Sequence, residues 1–242
     1  MRILILPMLL AATSVTAQDA QSGNGVAFTL GLGASWTPNY FGSETSSLGP
    51  TGNFEPGSLQ LGPLSYGGSG GDVGGFGVKG SFRYIGARTV ADNPELAGEA
   101  DLDAAFEIGG GLNYATDNAE IYAIGRYGVI GHEAFVGEIG GDWIMQPSSQ
   151  TEVRVGPRLF FGDDTYANTY FGSAVSSTSA SGGLLSRGIE ASIAYDVTEN
   201  WGVVGTINYD ELLNDAAKSP IVQTTDQLGV SLVVTRKVSW SC

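Results

Sequence analysis

From residue 26 onward, apolar positions alternate with small or polar ones at period two, in segments of about ten residues. The first run is the clearest. Val26, Phe28, Leu30, Leu32, Ala34 and Trp36 share one face, and Ala27, Thr29, Gly31, Gly33 and Ser35 share the other. Strict alternation marks a strand with two unlike faces. A soluble sheet would turn bulky charged groups toward water, whereas this second face is small, as the crowded interior of a narrow barrel requires. The pattern returns over 58–66, 76–84, 106–114, 120–129, 135–143, 153–161, 189–195, 201–209 and 228–234. That predicts an all-β chain forming a single transmembrane antiparallel up-and-down β-barrel. Ten strands are expected, with twelve as the alternative count; single-chain bacterial barrels have an even number. In 58–66 the alternation breaks at Gly62-Pro63, which predicts a bulge.

Five strands carry aromatics at both ends of the outward face, eight residues apart: Phe28 and Trp36, Phe76 and Tyr84, Phe106 and Tyr114, Phe135 and Trp143, Trp201 and Tyr209. Eight residues of tilted strand rise about 20 Å, close to the apolar band of about 25 Å between the aromatic girdles of membrane barrels. A soluble sandwich has no reason to hold aromatics at two fixed heights. Short connections at 67–72, 115–118, 146–150 and 198–200 alternate with longer ones at 37–57, 87–101, 130–133, 162–183 and 212–225. Short turns belong to the periplasmic side and long loops to the cell surface. The 130–133 connection is the exception in length.

The inward positions hold Lys79, Arg83, Glu107, Arg126, Glu138, Asp142, Glu152, Arg154, Arg158, Glu190 and Asp210. Mixed signs predict a salt-bridged interior that fills the barrel, because barrels of about eight strands are filled by side chains and open channels appear near sixteen. A narrow selective pore is the competing reading. Glycine, 37 of 242 residues, stands at about twice its usual share, in keeping with that interior.

Residues 1–17 read as a signal peptide: Arg2, an apolar stretch from Ile3 to Ala12, and the small-residue site Val15-Thr16-Ala17. The barrel is then expected to occupy 18–242, in the cell outer membrane. The chain carries 11 Lys and Arg against 25 Asp and Glu, a net charge of −14 with no basic cluster, which excludes nucleic acid as a partner. Cys242 is the only cysteine, so no intrachain disulfide forms. His132, the only histidine, sits between Gly131 and Glu133 with no serine nearby in sequence, so it reads as a structural loop histidine rather than part of a hydrolase. Asp163-Asp164 and the set Asp92, Glu95, Glu99, Asp101 and Asp103 read as solvated loops, since no twelve-residue calcium loop is present. No catalytic residue, metal or cofactor is expected.

Pro38-Asn39-Tyr40-Phe41-Gly42-Ser43, Gly131-His132, Gly156-Pro157, Tyr166 with Tyr170-Phe171-Gly172, and Ser219-Pro220-Ile221-Val222 occur in this order. The ordered set resembles the MipA/OmpV family of outer-membrane proteins, across nearly the whole mature chain. The resemblance implies a non-enzymatic scaffold that bridges a lytic transglycosylase and a bifunctional murein synthase in peptidoglycan growth. Porin-like channels and surface or adhesion proteins are the alternative it implies. Two features depart from the usual barrel ending: the chain runs past Trp240 to Ser241-Cys242, and parity puts Arg236 on the outward face.

Overall fold

The computed structural model describes residues 25–61, 64–66 and 75–241. The signal peptide expected at 1–17, the stretch 18–24, the Gly62-Pro63 break and the turn at 67–72 lie outside the described residues. Within them, alternation has become strand: β1 Gly25–Pro38, β2 Ser46–Leu61, β3 Leu64–Tyr66, β4 Gly75–Ile85, β5 Ala105–Ala115 and β6 Ala119–Ile130. The series continues with β7 Phe135–Ser148, β8 Thr151–Gly162, β9 Gly183–Asp196, β10 Trp201–Leu212 and β11 Asp226–Ser241. Ten of these are long, and β3 has three residues. Two helices interrupt the loops, α1 Asp164–Phe171 and α2 Asn214–Ala217. Among the described residues no helix is long and apolar enough to cross a membrane.

All strands join one antiparallel sheet in the order β3-β2-β1-β11-β10-β9-β8-β7-β6-β5-β4. The first and last strands pair directly, from Gly25 with Ser241 to Trp36 with Val230. The sheet curls strongly. On a flat sheet β4 and β8, four places apart, would be separated by about 19 Å. Instead the Arg83 guanidinium of β4 lies 4.4 Å from the centre of the Phe160 ring on β8. Only a sheet rolled toward a tube brings those two side chains together.

The second strand departs from expectation. Residues 37–57 read as a long loop, but β2 begins at Ser46 and pairs with β1 from Pro38–Ser46 to Gly25–Gln60. Its glycines and its two prolines, Pro50 and Pro56, mimic loop composition. The β1 backbone supplies the ladder regardless of propensity, and proline is tolerated where its missing N–H points away from the partner strand. β3 pairs antiparallel with the end of β2, Leu61 opposite Leu64 and Leu59 opposite Tyr66, so the single strand expected over 58–66 is two strands. The register shift in this part of the sheet lies between Val26 and Phe28.

The two faces are chemically opposite. Leu32, Phe76, Val78, Ile108, Leu112, Ile121, Phe135, Trp143, Ile193 and Leu232 stand exposed on the convex face, Phe76 at 87 %. The aromatics paired eight residues apart occupy the same face at two heights. Phe28, Phe76, Tyr114, Trp143 and Trp201 lie toward the short turns, and Trp36, Tyr84, Phe106, Phe135 and Tyr209 toward the long loops. Phe76 sits opposite Tyr114 with ring centres 5.2 Å apart, and Tyr84 sits opposite Phe106. Arg236 is also on this face, at the turn end, with its guanidinium 5.2 Å from the Trp201 ring.

Candidate functional site

The concave face carries charge on β4 to β9, with Asp210 added on β10 and Lys237 on β11 paired to Asp196. Glu107, fully buried, is the hub of the loop-side cluster. Its carboxylate accepts from Arg83 Nη2 at 2.7 Å, Arg126 Nε at 3.1 Å and His132 Nε2 at 3.1 Å. His132 Nδ1 accepts the Ala134 amide at 3.1 Å, which places the ring proton on Nε2 and fixes its donation to Glu107. Arg126 also donates to Ser81 Oγ at 3.1 Å and to Glu138 at 2.9 Å, and Tyr122 donates to the other Glu138 oxygen at 2.9 Å.

A second cluster lies toward the turns. Lys79 and Arg154 both bind Glu120, the latter at 2.8 Å, and Arg154 also holds Glu152 at 2.7 Å. Arg158 bridges Asp142 at 2.7 Å and Glu190 at 3.0 Å. The structure therefore brings Lys79, Arg83, Glu107, Arg126, Glu138, Asp142, Arg154, Arg158 and Glu190 into one wall of paired charge. Asp210, on β10, accepts from Asn208 Nδ2 at 3.0 Å. Pairing is what makes such burial tolerable, because an ion left alone away from water costs several kcal/mol. Sequence reasoning missed Glu120, Tyr122 and Tyr166 as members of the wall. Glu120 and Tyr122 share parity with Arg126 on β6, so that signal was present in the alternation.

Over the loop end sits an apolar cap. Tyr166, Ala167, Tyr170 and Phe171 of α1 pack with Ala134, Val136, Ala180, Leu185, Leu212 and Ala216, and Phe41, Ile85 and Val222 close around them. Tyr166 is fully buried and joins cap to wall: its hydroxyl accepts from Arg83 Nη2 at 2.8 Å, and its ring meets His132 edge-on at 5.0 Å. Burial pushes the Tyr166 and Tyr170 phenols well above their ordinary range, so both stay neutral. Asp163 caps α1, its side chain accepting from the Tyr166 amide and the Phe135 amide, both at 2.8 Å. Asp163→Ala should cost about 1 kcal/mol from the lost cap alone. Urea midpoints of the two proteins check this, and an unchanged midpoint would count against it.

The loops are tied to one another as well. Gly42, at φ +91°, presents its carbonyl to the Gln223 and Thr224 amides, and a Cβ there would lie 2.5 Å from Val222. Tyr40 donates to the Ile221 carbonyl, Ser219 Oγ donates to the Phe171 carbonyl, and Arg88 donates to the Tyr170 carbonyl. Glu99 accepts the Ser173 hydroxyl at 2.5 Å and the Ala174 amide at 2.8 Å, and these bonds hold its pKa below the ordinary 4.5. Because the folded value is the lower one, the contact's contribution is complete above pH 4.5 and fades as pH falls through the folded value. Faster proteolysis of residues 172–182 as pH falls below 4.5 is the expected sign, and Glu99→Gln should abolish that pH dependence.

Among the described residues no group of three His, Cys, Asp or Glu side chains is arranged to hold a metal. The motifs Pro38–Ser43, Gly131-His132, Tyr166 with Tyr170-Phe171, and Ser219–Val222 meet in the cap, while Gly156-Pro157 lies in β8. A family model described as "MltA-interacting protein MipA" matches residues 30–238. The chain belongs to the MipA family. The match spans β1 to β11, wall and cap alike. No curated protein matches the sequence. Among solved structures, this MipA-family chain is similar to an outer membrane channel from Pseudomonas putida F1, at 10% identity and TM-score 0.47, covering 92% of this chain and 100% of that one. It is also similar to Neisserial surface protein A, at 10% identity and TM-score 0.28, with 88% and 97% covered. A third is Ail, the attachment invasion locus protein of Yersinia pestis, at 11% identity and TM-score 0.28, with 90% and 99% covered.

Proposed function

We propose that this MipA-family chain is a non-enzymatic outer-membrane barrel that acts as an interaction scaffold for the peptidoglycan-building machinery, after removal of residues 1–17. The observation that carries the reading is the interior: a wall of paired charge under an apolar cap built from the loops. Such an interior is spent on its own contacts and offers no nucleophile–base set. The convex face supports the membrane location, since a soluble monomer rarely exposes so large an apolar surface. With the long loops folded into the cap, partners are left the turn side, at residues 116–118, 149–150 and 197–200, together with the segment 18–24. A specific interface needs about 800 Å² per partner, so several of these must act together. The family's description names MltA as its interaction partner, and the family resemblance implies the partner class, a lytic transglycosylase with a murein synthase alongside. Pull-down of the mature protein with both enzymes tests the reading. Enrichment that is lost when 116–118 and 197–200 are exchanged together supports it, and no enrichment sinks it.

A small channel is the second reading. Lys79, Arg83, Glu138 and Glu190 keep 19, 21, 24 and 27 % of their side chains accessible, so the wall is not dry throughout. Steps of conductance in planar bilayers that change on neutralising Arg154 or Arg158 would favour it.

A further inference from the structure

We infer that Arg236, seated on the Trp201 ring, binds the phosphate of a phospholipid in the leaflet that meets the short turns. The inference rests on the membrane-barrel reading above. Arg236 stands on the convex face, opposite Leu30 of β1 and Trp201 of β10. Its guanidinium lies 5.2 Å from the centre of the Trp201 ring. Trp201 opens β10 directly after the turn at 197–200, at the level of the turn-end aromatics. Tryptophan in that position sits at headgroup height in membrane proteins. The phosphates of that leaflet are therefore within reach of the long Arg236 side chain.

Arg236 differs from the other cations in having no anionic partner in the protein. Among the described residues, every other Lys and Arg side chain holds a carboxylate, or in the case of Arg88 the Tyr170 carbonyl. Arg236 alone has neither, and it rests on the indole. The loop end of the same strands gives the contrast. There the outward Arg187 of β9 holds Glu211 of β10 at 2.7 Å, so its charge is already answered. At the turn end, stacking uses a flat face of the guanidinium and leaves its edge of N–H donors for an oxyanion. That fork matches two oxygens of a phosphate. An arginine on the lipid face is costly at the midplane and nearly free beside an interface. Position and unused donors thus agree on the phosphodiester of a phospholipid. Inorganic phosphate has the same oxygens but lacks acyl chains to lie along Leu32 and Val234, the exposed pair one row nearer the midplane.

Native mass spectrometry of the mature protein, released from micelles doped with one lipid at a time, tests the inference. The natural chain should retain phosphatidylcholine, which carries the phosphodiester, about fivefold better than diacylglycerol, which lacks it. Arg236→Gln should lose that preference, and Arg236→Lys, which keeps the charge but not the fork, should fall between the two. Equal retention of the two lipids by the natural chain overturns the inference, whether or not the variants fold. Undiminished retention of phosphatidylcholine by a folded Arg236→Gln overturns it too. Displacement of the lipid by an equal concentration of inorganic phosphate would make this a free-anion site and overturns the lipid as its ligand. If the natural chain fails to insert into phosphatidylcholine vesicles, the membrane-barrel reading itself falls, and the site with it; insertion without a preference for the phosphodiester removes the site alone.

Discussion

Glu107→Ala is expected to destabilise the folded protein by about 3–5 kcal/mol, the cost of breaking a buried ion pair by removing one member. The size follows from the number of groups it would orphan. Arg83, Arg126 and His132 all donate to this one fully buried carboxylate, from β4, β6 and the loop between β6 and β7. Arg126 keeps Ser81 and Glu138, and Arg83 keeps the Tyr166 hydroxyl, but no other described carboxylate reaches both guanidiniums. Glu107→Gln should cost less, because the amide retains an acceptor and nearly the same volume. Urea midpoints in detergent micelles give the comparison. A midpoint for the alanine variant equal to that of the natural protein would show that the wall does not depend on its hub.

Tyr166→Ala is expected to open the cap. The phenol fills the space between Phe160, His132, Tyr170 and Phe41, with ring centres 4.6 to 6.5 Å away. Its loss leaves a cavity worth about 3–5 kcal/mol if the site does not collapse. Eight residues of α1 cannot hold a helix without that packing. Tyr166→Phe isolates the polar share: the cap stays packed, Arg83 loses one hydrogen bond, and the cost should be about 1–3 kcal/mol. Planar-bilayer recording separates cap from wall. If the cap closes the passage, the natural protein stays silent while Tyr166→Ala shows steps of conductance. Silence from both would make the wall of charge the barrier.

The strands were legible because alternation is a local property that burial enforces residue by residue. Phe76 to Tyr84 and Phe106 to Tyr114 read correctly from parity, and their cross-strand pairing follows because consecutive antiparallel strands lie side by side. β2 was not legible, since Gly49, Pro50, Gly52, Pro56 and Gly57 have loop composition and the ladder that orders them is supplied by β1. The helix α1 was missed inside a long connection. Its signal was nonetheless present: Asp163 as cap, then apolar residues at 166, 167, 170 and 171, spaced for one helical stripe. The wall was legible as a set of inward charges but not as a set of pairs. That Arg83 of β4 would reach past Glu107 to Phe160 and Tyr166 depends on the curl of the sheet, which no alternation pattern encodes.

The link from Arg83 to Tyr166 joins residues 83 positions apart, and it exists only once β4 and β8 have been rolled together. The cap therefore depends on the rolled sheet beneath it. Before the wall curls, α1 has neither its hydroxyl partner nor the aromatic bed beneath it, and loop residues 163–182 would be open to cleavage.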